Sequence, residues 1–218
     1  MKYDTVFFDL DGTIDDSAPG IVASVRHALA KMGEPDRAPE ELLCFIGPPL
    51  IPQFMAFCGY TKEKAEEAVK FYREIYSEKE IYNVRIYPGI EDLLKALKKA
   101  GLRMAVTTSK PEHFARRILE HYGLDVYFDA IVGPHSDNVS EDKREVLAEA
   151  CRIMDVKPQD GRTVLVGDRK YDVRGAKITG LDFIGVSYGY APEGEFEAEG
   201  VACVADSPAE LEEILIGG

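Results

Sequence analysis

Six short apolar runs alternate with helical stretches, and this order constrains the fold more than any other feature of the chain. The runs cover residues 5–10, 102–108, 130–133, 163–167, 182–187 and 201–205. Each is nearly continuous in apolar side chains, as expected for a strand that is covered on both faces. Strands that alternate with helices favour a parallel sheet with helices on both sides, so the sequence predicts a doubly wound α/β fold.

One region interrupts this alternation. Between residues 17 and 82 the apolar side chains recur only at helical spacing, as at Ile21, Val25 and Leu29. The sequence therefore predicts two domains: an α/β core formed by residues 1–16 and 83–218, and a helical cap formed by residues 17–82. A segment inserted at the carboxyl end of a strand stands over the crevice where open α/β sheets bind ligands, so we expect the cap to act as a lid.

Charge and cysteine content exclude several classes of function. The chain has 26 basic and 39 acidic residues and a formal net charge of −13, which makes it a poor non-specific binder of nucleic acid. No apolar run reaches the length of roughly 18 residues that a membrane span needs. The first four residues, Met1-Lys2-Tyr3-Asp4, lead directly into a strand-like run, so no signal peptide is expected. The four widely spaced cysteines favour buried thiols over a disulfide or zinc site, and with them a cytoplasmic protein.

Two aspartates close the first apolar run, in the order Asp9-Leu10-Asp11-Gly12. With the two-residue period of a strand, the side chains of Asp9 and Asp11 point to the same side. Two carboxylates this close repel each other unless one is protonated or a cation bridges them. An ordinary Asp-Gly turn is the competing interpretation.

A second acidic pair follows the run at 163–167. If a helix begins near Arg169, Asp168 and Asp172 lie four residues apart and share one side. The competing interpretation is helix capping, with Asp168 as the N-cap and Asp172 in the first turn. Taken together, the carboxylates at the two strand ends predict a site of oxygen ligands suited to Mg²⁺.

Two further segments offer groups that would bind an anion. The run at 102–108 leads into the hydroxyl side chains of Thr107, Thr108 and Ser109, ahead of a predicted helix whose free N–H groups can seat a phosphate. Lys143 falls in the first turn of another predicted helix, where a cation opposes the helix dipole, an unfavourable placement that is consistent with a functional role. A plain serine N-cap and a solvated surface lysine are the competing interpretations.

In this order the segments resemble the motifs of the haloacid dehalogenase superfamily of phosphatases, and the resemblance covers the whole chain. The helical insert is similar to the small cap of its phosphoglycolate-phosphatase-like branch. The matching motifs, in chain order, are Asp9-x-Asp11-Gly12-Thr13, Thr107-Thr108-Ser109-Lys110, Lys143 and Gly167-Asp168-x-x-x-Asp172.

The resemblance implies a role for each matched acid. Asp9 would be the nucleophile and Asp11 the general acid and base. Mg²⁺ would be held by Asp9, the backbone carbonyl of Asp11 and Asp168, with Asp172 acting directly or through water.

The resemblance also implies which residues bind the substrate. The phosphate would be held by Thr108, Ser109 and Lys143, with Thr108 preferred to Thr107 as the key hydroxyl. Within the cap, the stiff loop at Gly47-Pro48-Pro49 would contact the rest of the substrate and set specificity.

We therefore expect a Mg²⁺-dependent phosphatase that hydrolyses a small organic phosphate monoester through an aspartyl-phosphate, of the phosphoglycolate phosphatase or 5′-nucleotidase type. We expect it to bind neither nucleic acid nor membrane. We expect it to be a monomer or a homodimer. A sugar-phosphate mutase similar to β-phosphoglucomutase is the alternative, although such mutases usually carry Glu-Asp in place of Gly167-Asp168. Asp11 disfavours a metal-independent dehalogenase, and the four intact motifs disfavour a silent phosphate-binding protein.

Overall fold

The chain forms two compact units. The computed structural model describes residues 1–135 and 143–217. One unit consists of residues 1–15 together with the described residues from 86 onwards, and the other consists of residues 16–85. The chain therefore passes from one unit to the other twice, at 15–16 and at 85–86.

The described part of the chain contains short and long elements of both types. The strands are β1 (Thr5–Phe8), β2 (Asp15–Asp16), β3 (Arg85–Ile86), β4 (Arg103–Thr107), β5 (Ala130–Val132), β6 (Thr163–Gly167), β7 (Asp182–Val186) and β8 (Val204–Ala205). The α-helices are α1 (Ala18–Lys31), α2 (Pro39–Leu42), α3 (Leu50–Cys58), α4 (Lys62–Tyr76), α5 (Ile90–Lys99), α6 (Glu112–His121), α7 (Lys143–Ile153), α8 (Lys170–Thr179), α9 (Glu195–Ala198) and α10 (Pro208–Ile216). Single 3₁₀ turns lie at Leu43–Phe45, Glu80–Tyr82, Asp125–Tyr127 and Pro158–Asp160.

A six-stranded sheet in the order β5-β4-β1-β6-β7-β8 forms the frame of the first unit. Every pairing in it is parallel, and Phe8 of β1 is in register with Val106 of β4 and Val166 of β6. The predicted doubly wound α/β fold is confirmed, and each of the six apolar runs contains one strand of this sheet. Because β1 is flanked by β4 and β6, the carboxyl ends of these three strands lie side by side.

Strand β1 is shorter than the apolar run that predicted it, since it ends at Phe8 and not at residue 10. The carbonyl of Leu10 accepts hydrogen bonds from the amides of Thr13, Ile14 and Asp15, so the chain turns directly after the strand. The turn leaves Asp9 and Asp11 at the edge of the sheet.

Apolar side chains from the sheet and from α7 make a closed core beneath that edge. Phe7, Ala105 and Leu165 come from adjacent strands, and they pack with Val146 and Leu147 of α7. All five side chains are buried. Burial on this scale stabilises the first turn of α7 and the strand ends, which carry the polar residues described below.

Four helices build the second unit, residues 16–85. Helix α1 packs against α4, with Ile21, Val25 and Leu29 facing inward on α1. A Cβ on Gly20 would overlap the backbone carbonyl of Glu80, so a residue without a side chain lets these segments approach closely. Among the described helices of the whole chain, none combines the length and the apolar character that crossing a membrane requires.

Candidate active site

Four buried aspartates lie at the carboxyl edge of the sheet. Asp9 and Asp11 follow β1, Asp168 follows the adjacent β6, and Asp172 lies in the first turn of α8. None of them is more than 7% exposed. One carboxylate oxygen each from Asp9, Asp168 and Asp172 lies within 4.8 Å of the other two. The side chain of Asp11 is not part of this three-carboxylate group.

Glycines allow the acidic groups to come this close. A Cβ on Gly167 would lie 2.5 Å from Cγ of Asp172, well inside van der Waals contact. Gly12, which has a φ of +85°, and Gly189 approach the carboxylate of Asp168 in the same way. The backbone conformation of Gly12 is one that other residues rarely adopt. Glycine is therefore required at this position both for the turn and for the close approach of Asp168.

Asp168 is the most deeply buried acid of the group. Its Oδ2 accepts a hydrogen bond of 2.7 Å from the backbone N–H of Tyr190, while its Oδ1 is buried with no hydrogen-bond partner among the described residues. Burial, reinforced by the charges of Asp172 and Asp9, raises the pKa of Asp168 well above its usual range. An unpartnered carboxylate oxygen beside two further carboxylates is a donor set that fits a cation with oxygen ligands.

Lys143 supplies positive charge to the same group. Its Nζ lies 2.7 Å from Oδ1 of Asp9 and 2.6 Å from Oδ1 of Asp172, and it donates to the carbonyl of Thr107 at 2.8 Å. The first residue of α7 is thus turned inward and buried. Residues 136–142, which precede Lys143, lie outside the described residues.

The charges around Asp9 and Lys143 shift the pKa of both groups. Burial raises the pKa of Asp9 to about 7, with Lys143 opposing the rise and Asp172 adding to it. Burial by itself would lower the pKa of Lys143, but Asp172 and Asp9 outweigh it and hold that pKa above its usual range. Lys143 is therefore a permanent cation, and Asp9 takes up a proton more readily than a solvated aspartate does.

A second buried lysine, Lys110, closes the motif Thr107-Thr108-Ser109-Lys110 but was given no role from the sequence. Nζ of Lys110 lies 2.6 Å from Oδ1 of Asp11, and both side chains are almost fully enclosed. The signal that could have found it is its place directly after the hydroxyl residues at the end of β4. A lysine there is held near the carboxyl edge of the sheet, where cations are needed.

The hydroxyl residues lie where they were expected, at the end of β4 beside Asp9. Thr107 is the last residue of the strand, and its Oγ1 is buried with no hydrogen-bond partner among the described residues. The Oγ1 of Thr108 accepts from the amide of Lys110 at 3.1 Å, and Ser109 is partly exposed.

The competing capping interpretation of the second acidic pair holds for one of its members. Oδ2 of Asp172 accepts from the amide of Arg169 at 3.1 Å, so Asp172 caps α8 and also belongs to the three-carboxylate group. The N-cap residue is Arg169 and not Asp168. Asp168 is left to the acidic group.

The loop expected to set specificity belongs to the other unit. Gly47, with a φ of +96°, Pro48 and Pro49 connect a 3₁₀ turn to α3, and all three are partly exposed. The structure therefore places them on the helical unit and the other candidate residues on the sheet unit.

Comparison with known proteins places this arrangement in a family. Residues 6–186 match the family model for haloacid dehalogenase-like hydrolases. A curated 5′-nucleotidase of Pseudomonas aeruginosa is 38% identical over 217 residues, which is 99% of this chain and 96% of that protein. A phosphoglycolate phosphatase of Pseudomonas savastanoi is 32% identical, over 94% of this chain and 77% of that protein.

Other relatives carry different names. The tyrosine-protein kinase PtkA of Mycobacterium tuberculosis is 43% identical over 85% of this chain, which spans 62% of that protein. Among solved structures, a predicted phosphatase from Clostridium acetobutylicum is 38% identical, with a TM-score of 0.93 and coverage of 99% of both chains. The chain thus belongs to the haloacid dehalogenase-like hydrolases, the enzyme family that its motifs predicted.

Proposed function

We propose that the protein is a Mg²⁺-dependent phosphatase that hydrolyses small organic phosphate monoesters through an aspartyl-phosphate on Asp9. The observation that carries the proposal is the position of Asp9. Its carboxylate is shared between the three-carboxylate group and the Lys143 ammonium. A carboxylate that attacks a phosphate dianion needs positive charge near it to offset their repulsion. At Asp9 this charge would come from Lys143 on one side and from a cation at the three-carboxylate group on the other.

The residues around the acidic group fit the metal. Asp9, Asp168 and Asp172 would hold Mg²⁺, and the backbone carbonyl of Asp11 is the further ligand that the family resemblance implies. Bound Mg²⁺ supplies charge that reduces the repulsion between the Asp9 carboxylate and the phosphoryl oxygens. The unpartnered Oδ1 of Asp168 supports this assignment, since a buried carboxylate oxygen without a donor is costly unless a cation meets it.

The chemistry follows in two steps. In the first, a carboxylate oxygen of Asp9 forms a bond to phosphorus as the bond to the ester oxygen breaks, and Asp11 donates its proton to that departing oxygen. In the second, Asp11 takes a proton from a water molecule, which attacks the phosphorus and releases inorganic phosphate. Asp9 is regenerated as a carboxylate, and Asp11 ends with its proton.

The remaining residues bind the phosphoryl group. Lys143 would contact its oxygens from the Asp9 side, and the hydroxyls of Thr108 and Ser109 would meet it from the end of β4. These groups form the localised positive region that a chain of net charge −13 needs to bind an anion.

The substrate class is a small phosphate monoester, with 5′-nucleotides and phosphoglycolate as the first candidates because relatives carry those names. The partly exposed loop at residues 47–49 is the proposed specificity element. We also propose a reducing, cytoplasmic location, which the four free cysteines support.

The glycine at position 167 disfavours the mutase alternative. The mutase motif carries a glutamate at this position, but here even a Cβ would overlap Asp172. A mutase would therefore need a different placement of the acid that caps α8.

A phosphate-release assay tests the proposed function. The purified chain should release inorganic phosphate from p-nitrophenyl phosphate with Mg²⁺, and excess EDTA should abolish the release. A panel of 5′-nucleotides, phosphoglycolate and sugar phosphates then identifies the substrate by kcat/KM. If no phosphate is released from any of them with Mg²⁺, the proposal is wrong.

A further inference from the structure

Lys110 and Asp11 form an ion pair that the proposed steps above do not use. The two atoms, Nζ and Oδ1, are 2.6 Å apart, and the side chains are only 6% and 8% exposed. A buried charge that loses its partner is strongly destabilised, so this contact restricts where the carboxylate of Asp11 can point. The pair joins residues that lie far apart in the sequence but on adjacent strand ends.

The backbone that carries Lys110 is itself fixed. The amide of Lys110 donates to Oγ1 of Thr108 at 3.1 Å, and the amide of Glu112 donates to the carbonyl of Pro134 at 3.0 Å. A Cβ on Gly133 would overlap the carbonyl of Lys110, so this segment lies directly against the end of β5. Lys110 therefore starts from a well-defined position.

Two lysines divide the acidic side chains into two sets. Lys143 pairs with Asp9 and Asp172, which belong to the three-carboxylate group. Lys110 pairs with Asp11, whose side chain is outside that group. The division is consistent with two tasks, one at the cation and one at a proton.

We propose that Lys110 is a positioning residue that keeps the Asp11 carboxylate apart from the metal-binding acids and directed at the leaving-group oxygen of the substrate. The proposal rests on the phosphatase function proposed above. As the phosphorus–oxygen bond breaks, the O–H bond of Asp11 breaks too and the proton passes to the departing oxygen. This transfer matters most when that oxygen would otherwise leave as a strongly basic alkoxide.

The leaving-group dependence of the reaction tests the proposal. Lys110→Met should lower kcat/KM, which reports only the steps up to release of the leaving group, by about a hundredfold for alkyl phosphates and by less than about threefold for p-nitrophenyl phosphate, with phenyl phosphate between them. Lys110→Arg should keep the fold and the charge but displace the carboxylate, giving the same pattern at a smaller size. Lys95→Met removes a lysine from an exposed ion pair with Glu91, and it should leave all three rates unchanged.

Two outcomes of the kinetics would overturn the proposal. Equal losses of kcat/KM for the three esters in both Lys110 variants would mean that Lys110 contacts the phosphate or only supports the fold. Unchanged rates would mean that Asp11 needs no help from Lys110. The substrate KM adds a second check, because the loss of a lysine that binds phosphate would raise KM for every ester.

Crystal structures of the wild type and of Lys110→Arg give a readout that does not depend on activity. We expect the Asp11 carboxylate to change its rotamer in the variant, and an unchanged side chain would count against Lys110 as its positioning group. If the wild type hydrolyses none of the esters, the proposed function fails, while the two structures still decide whether Lys110 sets the position of Asp11.

Discussion

Nζ of Lys143 lies 2.6 Å from Oδ1 of Asp172, although the two residues belong to the first turns of different helices. The contact holds the starts of α7 and α8 together at the sheet edge. The single positive charge of Lys143 lies beside the three carboxylates of Asp9, Asp168 and Asp172. The ionised group therefore has an excess of negative charge that a divalent cation would balance.

Asp9→Asn removes the proposed nucleophile with little change of shape. We expect kcat to fall at least about a thousandfold, or roughly 4 kcal/mol of barrier height, in a phosphate-release assay with Mg²⁺. The melting temperature should be retained, because the amide relieves repulsion with Asp172. Retention of more than a few per cent of wild-type kcat would show that Asp9 is not the nucleophile.

Asp168→Asn and Asp172→Asn should weaken Mg²⁺ binding to different extents. Asp168 has a buried oxygen with no partner, whereas Asp172 is already engaged by Lys143 and the amide of Arg169. We therefore expect the Mg²⁺ concentration for half-maximal activity to rise more in Asp168→Asn. Wild-type Mg²⁺ dependence in both variants would leave these acids as structural residues only.

Mg²⁺ should stabilise the protein more at pH 7.5 than at pH 5. Asp9 has a pKa of about 7 in the folded metal-free protein and 3.8 ordinarily, so the folded state binds more protons between these values. The stability from this group is full below pH 3.8 and is lost as the pH rises through 7. Mg²⁺ favours the ionised carboxylate and opposes that loss.

Thermal unfolding in EDTA and in saturating Mg²⁺ checks this pH dependence. At pH 7.5 we expect Mg²⁺ to raise the melting temperature by about 5–10 °C, and at pH 5 by clearly less. Asp168→Asn should reduce the difference between the two pH values. An equal shift at both pH values would contradict the raised pKa of Asp9.

Gly167→Ala should disturb the acidic group through Asp172. The new methyl group would lie 2.5 Å from Cγ of Asp172 and force it to move, at a cost of about 1–3 kcal/mol in unfolding free energy. Mg²⁺ affinity, measured by calorimetry, should fall as well. Gly185→Ala is the matched control, because its methyl group would press on the ring of Phe196 instead.

The control separates crowding in the sheet from damage to the site. Gly185→Ala should lower stability and leave Mg²⁺ affinity unchanged. If both alanine variants weaken Mg²⁺ binding equally, the effect of Gly167→Ala comes from the sheet and not from Asp172.

Replacing Gly47-Pro48-Pro49 with a Gly-Ser loop should change the order of substrate preference. The two prolines fix the backbone of this segment, and a flexible loop would lose that shape. We expect kcat/KM values for natural esters to change unequally, while p-nitrophenyl phosphate turnover stays within about twofold of wild type. Proportional losses for every ester would indicate a plain helix connector.

The sheet and the acidic edge could be predicted from the sequence because they follow from local patterns. Continuous apolar runs gave the strands, and parallel pairing places Asp9 and Asp168 at one edge. The predicted end of β1 was wrong by two residues. The chain turns there instead, because the carbonyl of Leu10 accepts hydrogen bonds from three amides that follow it. These hydrogen bonds depend on the turn around Gly12, which strand periodicity does not describe.

The contacts of the buried lysines could not be predicted in the same way. Lys110 and Asp11 are separated by 99 positions in the chain, and their pairing requires β4 beside β1 with the segment after β4 packed on Gly133. Asp172 has two tasks, as a helix cap and as part of the acidic group, and sequence spacing treats these as alternatives. Only the packed structure shows that one carboxylate has an oxygen for each.

The place of β1 between β4 and β6 has a consequence for synthesis on the ribosome. Thr5 pairs with Arg103 on one side and with Thr163 on the other, so the first strand made needs partners that are made much later. Until Thr163–Gly167 emerges, the nascent chain carries a buried-type strand with an open edge, which is prone to aggregate. Chains interrupted before Asp168 lack two of the three carboxylates of the acidic group, so the site can be completed only when most of the polypeptide has been made.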